Sequence, residues 1–232
     1  MLELRNISAG YDAGTVLQDV SITVPDGAVV ALLGPNGAGK TTTLKVASGM
    51  LGTRSGQILI DGEDVTNKAP YQLARRGLCH VPEGRGIFPS LSVTDNIRLQ
   101  APARNFKASL GNATAVFPRL GERAKQISRT MSGGEQQMLA LAHAYVSDPQ
   151  YILLDEVSMG LAPKIVEEIF EYLHDLAGQG KSMLLVEQYV GQALKLADYV
   201  YIMDRGTITF AGEPGEISEE TIMNSYLGSL AS

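Results

Sequence analysis

The sequence has no tryptophan, only three histidines and only one cysteine among its 232 residues. The single cysteine, Cys79, rules out a disulfide within the chain, and its apolar neighbours favour a packing role over a reactive thiol. The histidines, His80, His143 and His174, are scattered without the spacing of metal ligands. These shortages exclude an internal disulfide scaffold and give no support to a zinc site.

Long hydrophobic runs are also missing, because no apolar run approaches the ~18 residues that a helix needs to cross a bilayer. The longest runs, at residues 28–33 and 182–186, have the length of buried strands. The first five residues lack the basic and then apolar pattern of an export signal, so we expect a protein that stays in the cytoplasm. The net charge of −6 disfavours a broad electrostatic contact with nucleic acid or acidic lipid.

The order of hydrophobic patterns in the first two thirds of the chain predicts strands followed by helices. Strands and turns are predicted at residues 2–9, 20–24, 25–27, 28–33 and 57–62, the last as a hairpin. The pattern changes to a helical period at residues 93–147, where Pro102, Pro118 and Gly121 interrupt it. This change predicts a mainly helical insert.

From residue 150 onward, short apolar strands alternate with helices, which implies a parallel sheet with crossover connections. The elements are predicted at residues 151–154, 164–176, 183–186, 199–203 and, as a last short helix, 216–227. We therefore predict one α/β domain spanning residues 1–232. Its core at residues 1–92 and 148–232 includes an antiparallel β subdomain, and residues 93–147 form a helical subdomain.

A glycine-rich loop follows the apolar strand at residues 28–33. It reads Gly34-Pro35-Asn36-Gly37-Ala38-Gly39-Lys40-Thr41-Thr42, which matches the phosphate-loop pattern G-x-x-x-x-G-K-[ST]. The glycines let backbone N–H groups face phosphate oxygens, and the next helix adds its positive N-terminus. Lys40 supplies charge to the β- and γ-phosphates, Thr41 a hydroxyl to Mg²⁺, and Thr42 contacts the α-phosphate. The alternative, a plain strand-to-helix turn, leaves this combination unexplained.

Two acids, Asp155 and Glu156, follow the strand predicted at residues 151–154. They would lie at the carboxyl edge of the sheet, where parallel sheets bind their ligands. Asp155 is then placed to hold Mg²⁺ through its water shell, and Glu156 to orient or deprotonate an attacking water. A strand end with solvated acids is common, so the two acids alone would be a weak indication of a metal site. Together with the phosphate loop they become a strong one. Many nucleotide hydrolases share both motifs.

A serine- and glycine-rich segment between those two motifs distinguishes among the families of nucleotide hydrolases. It reads Met131-Ser132-Gly133-Gly134-Glu135-Gln136-Gln137 and opens a helical pattern. It resembles the LSGGQ signature of ABC ATPases. Ser132 and the glycine amides form a second anion site at a helix N-terminus. An ordinary N-cap serine is the alternative, and it does not explain the position just upstream of Asp155.

The resemblance to ABC ATPases covers the whole chain and implies a cassette fold. That fold is a P-loop α/β core of RecA type with an antiparallel β subdomain and a helical subdomain. It implies that ATP and Mg²⁺ are held between the phosphate loop of one subunit and the signature of a second ABC ATPase. It also implies attachment, through integral membrane permease subunits, to the cytoplasmic face of the membrane. A solute-binding protein is then an indirect partner.

The motifs and the resemblance together assign roles to individual residues. Tyr11 matches the aromatic residue that stacks on adenine, with a core aromatic at a strand end as its alternative. The ATP-binding residues are Tyr11, Gly34, Pro35, Asn36, Gly37, Ala38, Gly39, Lys40, Thr41 and Thr42. The catalytic residues are Glu156, Lys40 and Gln188, and the metal-binding residues are Thr41, Asp155 and Glu83. The signature residues acting on the other subunit's ATP are Ser132, Gly133, Gly134 and Glu135.

Three positions depart from the commonest ABC pattern. Glu83, in Val81-Pro82-Glu83-Gly84-Arg85, takes the place of a glutamine that contacts Mg²⁺ and water. Gln188 replaces the usual histidine at the γ-phosphate, and Ala162 stands where an aspartate is common. An amide at Gln188 carries no positive charge, so a histidine-linked mechanism does not transfer unchanged. Glu83 either binds Mg²⁺ more strongly than an amide or repels the phosphates.

These departures resemble the second of the two ATPases in branched-chain amino acid importers. Urea and amide importers share much of the pattern, and Val157 departs from both because proline usually follows the acid. Two rivals remain: an ABC ATPase that clamps DNA, and a non-catalytic nucleotide switch. Neither the long coiled-coil heptads of the first nor the loss of Glu156 expected for the second is found. The solute and the choice between homodimer and heterodimer stay open.

Overall fold

The computed structural model describes residues 1–84, 86–101 and 106–217. Arg85 and the part of the predicted last helix beyond residue 217 lie outside the described residues. The strands are β1 (Leu2–Ala9), β2 (Leu17–Val24), β3 (Val29–Leu33), β4 (Thr53–Ile60), β5 (Glu63–Asp64), β6 (Leu78–Val81), β7 (Tyr151–Asp155), β8 (Ser182–Val186), β9 (Tyr199–Asp204) and β10 (Thr207–Gly212). The helices are α1 (Lys40–Ala47), α2 (Pro70–Ala74), α3 (Val93–Gln100), α4 (Phe106–Val116), α5 (Pro118–Glu122), α6 (Gly133–Ser147), α7 (Pro163–Gly178) and α8 (Val190–Leu196).

The strands form two sheets. Four of them make an antiparallel sheet in the order β2-β1-β4-β5. The predicted hairpin at residues 57–62 is confirmed, because Asp61 and Gly62 adopt positive φ angles of 53° and 78° between β4 and β5. The other six form a sheet in the order β10-β9-β3-β8-β7-β6, in which only β10 is antiparallel to its neighbour. The predicted parallel sheet is therefore confirmed.

Both faces of the six-stranded sheet are covered, which explains why its central strands are apolar throughout. Alternate residues of β3 show this directly. Val30 and Leu32 pack with the four-stranded sheet and α1, whereas Val29, Ala31 and Leu33 pack with residues of α3, α6 and α7. Residues of α3, α6 and α7 thus lie on one face of the sheet, and the antiparallel strands and α1 lie on the other. The division into a core and a helical subdomain stays a prediction.

No helix of the described residues is long and apolar enough to cross a membrane.

A buried asparagine fixes the loop before α3 against the segment that leads to α6. Asn96 is fully buried, and its side-chain amide donates to the backbone oxygens of Phe88 (3.0 Å) and Ser92 (3.0 Å) and to Ser128 Oγ (2.8 Å). Its side-chain oxygen accepts from the Phe88 N–H at 2.8 Å. The backbone N–H of Ser128 adds a bond to the Leu91 oxygen at 2.9 Å. One side chain therefore holds two separate segments.

We expect Asn96→Ala to lower the free energy of unfolding by about 2–4 kcal/mol, because it leaves buried polar groups without partners. Urea denaturation of the isolated chain measures this. The matched control is Asn112→Ala, since Asn112 is exposed on α4 and should change stability by no more than about 0.5 kcal/mol. A loss below about 1 kcal/mol for Asn96→Ala would show that the loop is held by other contacts.

Candidate nucleotide-binding site

The carboxyl ends of four neighbouring parallel strands meet at one edge of the six-stranded sheet. β3 leads into the loop at Gly34, β6 ends shortly before Glu83, β7 ends at Asp155, and β8 ends shortly before Gln188. Ligands of open α/β sheets bind outside this edge. The topology therefore gathers motifs that lie far apart in the sequence.

These chain segments surround a cavity of about 330 Å³. It is lined by Val16, Asn36, Gly37, Gly39, Lys40, Thr41, Thr42, Glu83, Glu156, Met159 and Gln188. All three predicted catalytic residues lie here, together with much of the phosphate loop. Of the other predicted residues, Gly34, Pro35, Ala38, Tyr11 and Asp155 are not part of the lining. Val16 and Met159 also lie in the lining, although no sequence motif predicted them.

Two glycines of the phosphate loop are required by its backbone. Gly34 has a φ of 147°, and a Cβ there would lie 2.1 Å from the backbone oxygen of Met203. Gly39 has a φ of 112° and is the N-cap residue of α1, where a Cβ would lie 2.9 Å from Leu17 Cδ2. Any side chain would be strained at both positions. The loop thus leads directly into the N-terminus of α1, where backbone N–H groups are free to bind an anion.

Lys40 is held against the loop rather than exposed to solvent. Its Nζ donates to the backbone oxygens of Gly34 at 2.9 Å and Pro35 at 3.1 Å, and the side chain is 5% exposed. Burial lowers the pKa of Lys40, while the charges of Glu156 and Asp155 oppose that shift. A cation fixed between a glycine-rich loop and two acids suits the phosphates of a nucleotide.

Thr41 and Asp155 form the pair that fits a magnesium ion. The Thr41 hydroxyl donates to Asp155 Oδ1 at 3.0 Å, and Asp155 is 1% exposed. Burial raises the pKa of Asp155 to about 6, against the opposing hydrogen bond from Thr41. A hydroxyl and a carboxylate are the oxygen ligands that Mg²⁺ prefers, and a cation would offset the cost of burying the acid. No cluster of three or more Asp, Glu, His or Cys side chains that could hold a metal ion occurs among the described residues.

Glu156 and Gln188 contact each other at the cavity wall. Gln188 Nε2 donates to Glu156 Oε2 at 3.2 Å and to Met159 Sδ at 3.7 Å. Glu156 adopts a left-handed backbone with a φ of 47°, and its N–H donates to the Val186 oxygen at 2.9 Å. This backbone is uncommon for a glutamate and is typical of sites where geometry is imposed by the surroundings. The carboxylate of Glu156 is thus oriented by a neutral amide.

Tyr11 lies beside α1 and not in the core. Its ring is 45% exposed, its hydroxyl accepts from Lys45 Nζ at 3.5 Å, and that ammonium lies 5.8 Å from the ring centroid. The alternative of a core aromatic is therefore excluded. The ring is exposed next to the helix that follows the phosphate loop, and its role toward adenine stays a prediction.

The signature segment opens α6 at a different place from the cavity. Ser132 is the exposed N-cap residue; its Oγ accepts from the Glu135 N–H at 3.4 Å, while Glu135 accepts from the Ser132 N–H at 2.9 Å. Arg123 forms an ion pair with Glu135 at 2.6 Å. Burial acts to raise the pKa of Glu135, but the hydrogen bonds from Ser132 and the charge of Arg123 hold it below its usual value. Glu135 is thus bound within its own chain, whereas Ser132 is open to a partner.

A family model described as ABC transporter matches residues 17–159, which include the phosphate loop, the signature and both acids. The chain belongs to the ABC transporter family. The resemblance predicted from the motifs is therefore confirmed, and so is the cassette fold. The family makes this chain an ATP-binding ATPase whose hydrolysis is coupled to transport.

Individual relatives of this cassette cover nearly all of it. It is 38% identical to the high-affinity branched-chain amino acid transport ATP-binding protein BraG of Pseudomonas aeruginosa, over 98% of this chain and 100% of that protein. It is 33% identical to the lipopolysaccharide export system ATP-binding protein LptB of Escherichia coli K12, over 98% of this chain and 97% of that protein. A solved structure described as the ATP binding subunit of an ABC transporter superposes with a TM-score of 0.84 at 28% identity, covering 99% and 97% of the two chains.

Proposed function

We propose that this cassette powers an importer of branched-chain amino acids. The observation that carries the proposal is the similarity to BraG, which extends over the whole of that protein at higher identity than to LptB. The sequence departures at Glu83 and Gln188, both located in the cavity wall, support it. Solute choice is made by other subunits, so the support for this particular solute comes only from the relatives of the chain.

The cavity residues support hydrolysis of ATP by direct attack of water. Glu156 accepts the proton of the water that attacks the γ-phosphate in line, and the bond to ADP breaks. Lys40 neutralises charge on the transferred phosphate, and the loop amides hold the β-phosphate. Mg²⁺, held by Thr41 and Asp155, would supply further charge compensation for the phosphates. Gln188 fixes the Glu156 carboxylate and donates a hydrogen bond toward the γ-phosphate.

The complete site is shared between two ABC ATPase subunits in this proposal. Ser132 and the amides of Gly133 and Gly134 form a second anion site that is separate from the cavity of the same chain. One ATP per chain would leave that site unused, whereas a head-to-tail pair of subunits uses both. The pair is either a homodimer or a heterodimer. It binds ATP between the two chains, and closure on ATP drives the permease.

The permease subunits dock, in this proposal, over a second cavity of about 340 Å³ whose lining includes Pro82 and Gly86. Met50 and Tyr71 on its rim are 55% and 62% exposed. Inside it, the Nε2 atoms of His80 and His143 are buried and have no hydrogen-bond partner among the described residues. Exposed apolar side chains around unsatisfied polar atoms are typical of a surface that another protein covers. In this proposal the cassette lies at the cytoplasmic face of the membrane.

Three other cargoes define the competing outcomes. Similarity to LptB favours lipopolysaccharide export as a second candidate, and the cavity motifs also resemble those of urea and amide importers. The test uses the purified transporter, isolated with its membrane subunits and reconstituted in liposomes. We expect phosphate release to rise several-fold when solute-binding protein loaded with leucine, isoleucine or valine is added. Stimulation by urea, amides or lipopolysaccharide alone would reject the proposed cargo.

A further inference from the structure

A buried acid outside the motifs connects the segments that carry Glu156 and Gln188. Glu187 follows β8, is 1% exposed and does not line the nucleotide cavity. Its carboxylate accepts from the backbone N–H of Ser158 at 3.1 Å, from the Ser158 hydroxyl, and from the backbone N–H of Gln188 at 3.3 Å. Ser158 is itself fully buried. The hydrogen bonds of this side chain thus go to Gln188, one of the catalytic pair, and to Ser158, two residues after Glu156.

These contacts close a ring around the candidate base. Ser158 lies two residues after Glu156 and donates hydrogen bonds to the Glu187 carboxylate. Gln188 follows Glu187 in the chain, and its Nε2 donates to the Glu156 carboxylate at 3.2 Å. The strands beneath are paired in register, with Asp155 opposite Val186. Among the described residues, the other hydrogen bonds between the two segments beyond the strand ends are the Glu156–Val186 backbone bond and those of the Gln188 side-chain amide. Glu187 is therefore the buried connection between them.

A packing role alone does not explain an acid at this position. Burying a carboxylate is costly unless it is paired, and an apolar residue of similar size would fill the space at less cost. No basic side chain in the described part of the chain forms an ion pair with Glu187. Burial raises its pKa to about 7, against the hydrogen bonds from Ser158 and Gln188. What the carboxylate supplies is two acceptor oxygens directed at three donors.

We infer that Glu187 is a positioning residue for ATP hydrolysis: it holds Ser158 and Gln188 so that the Glu156 carboxylate keeps its orientation. The inference rests on the proposed role of Glu156 as base. A displacement of about 1 Å in a catalytic group costs about 100-fold in rate. Glu187 does not line the cavity, and its hydrogen bonds go to Ser158 and Gln188, so its loss should change the rate of the chemical step and leave ATP binding by the phosphate loop intact.

The test compares steady-state ATP hydrolysis by the purified transporter carrying variants of this chain. Glu187→Ala should lower kcat about 10- to 100-fold with the KM for ATP unchanged. Glu187→Gln keeps the length and one acceptor oxygen, so its loss should be smaller. Ser158→Ala removes the hydroxyl at the other end of the contact, and adding it to Glu187→Ala should cause little further loss. Glu167→Ala, which changes an exposed acid on α7, is the matched control and should leave kcat unchanged.

Melting curves with and without Mg-ATP confirm that each variant is folded and binds nucleotide. If Glu187→Ala does not fold, Glu187→Gln and Ser158→Ala decide the question by their kcat values. Wild-type kcat in a folded variant, or a raised KM with unchanged kcat, would overturn the inference while leaving the proposed function intact. Glu156→Gln is measured in the same series. If it turns over at the wild-type rate, the assigned base is wrong, and the role of Glu187 is wrong with it.

Discussion

Glu156→Gln should bind Mg-ATP as tightly as the wild-type chain and hydrolyse it about 10²–10⁴ times more slowly. The amide keeps the shape of the side chain but removes the basicity that accepts a proton from water, and general-base catalysis contributes a factor of that size. Gln188 can donate its hydrogen bond to a side-chain oxygen of the glutamate or of the glutamine at position 156, so the cavity should keep its structure. Because hydrolysis is blocked, the variant should accumulate as an ATP-bound dimer. Size-exclusion chromatography with Mg-ATP detects that species.

Glu167→Gln provides the matched control, since it makes the same chemical change at an exposed position on α7. It should run on the column as the wild type does. When the natural partner is another ATPase, the isolated chain remains monomeric, so the comparison is made with the partner present. A Glu156→Gln complex that never accumulates in the ATP-bound form, and turns over normally, would remove Glu156 from the mechanism.

Ser132→Arg should leave ATP binding by the isolated chain nearly unchanged and abolish ATP-driven pairing of the subunits. Ser132 is exposed at the start of α6 and does not line the cavity of its own chain. An arginine there would obstruct the backbone amides that approach the γ-phosphate held by the other subunit. Dimer formation by chromatography, in the Glu156→Gln background, measures the effect.

Ser132→Ala separates obstruction from loss of the helix cap. It removes the hydroxyl that accepts from the Glu135 N–H, which costs about 1 kcal/mol of stability but adds no bulk. We expect this variant to pair on ATP, in contrast to Ser132→Arg. Equal loss of pairing in both variants would indicate that the cap, and not access to the amides, is what the dimer needs. Unimpaired pairing of Ser132→Arg would show that the site is not shared at this signature.

The phosphate loop and the two acids were predictable because each is a local pattern. The loop needs glycines at positions such as Gly34 and Gly39, where a Cβ would lie too close to neighbouring atoms. These glycines occur within one short segment, so the sequence motif alone identifies the loop. Asp155 and Glu156 follow an apolar strand whose burial on both faces is equally visible in sequence. Parallel topology then places both motifs at one edge of the sheet.

Contacts that depend on strand order were not predictable. β6 is four residues long and contains Cys79 and His80, so it shows no alternation; it forms a strand because it pairs with β7 at the sheet edge. β10 was missed too, since it exists as the partner of β9 across the turn at residues 205–206. The bond between Gln188 and Glu156 follows from the register of β7 and β8, which no local pattern specifies. Val16 lies in the cavity wall without any chemical signature.

The central claim is that ATP is hydrolysed by Glu156 in a pocket that Ser132 of a second subunit completes. Its most direct measurement is phosphate release from Mg-ATP by the purified transporter, with ATP binding measured on the same samples. We expect the Glu156→Gln and Ser132→Arg transporters each to keep nucleotide binding by the phosphate loop, and to lose phosphate release from every pocket that contains the changed residue. Release at the full wild-type rate by either variant would contradict it.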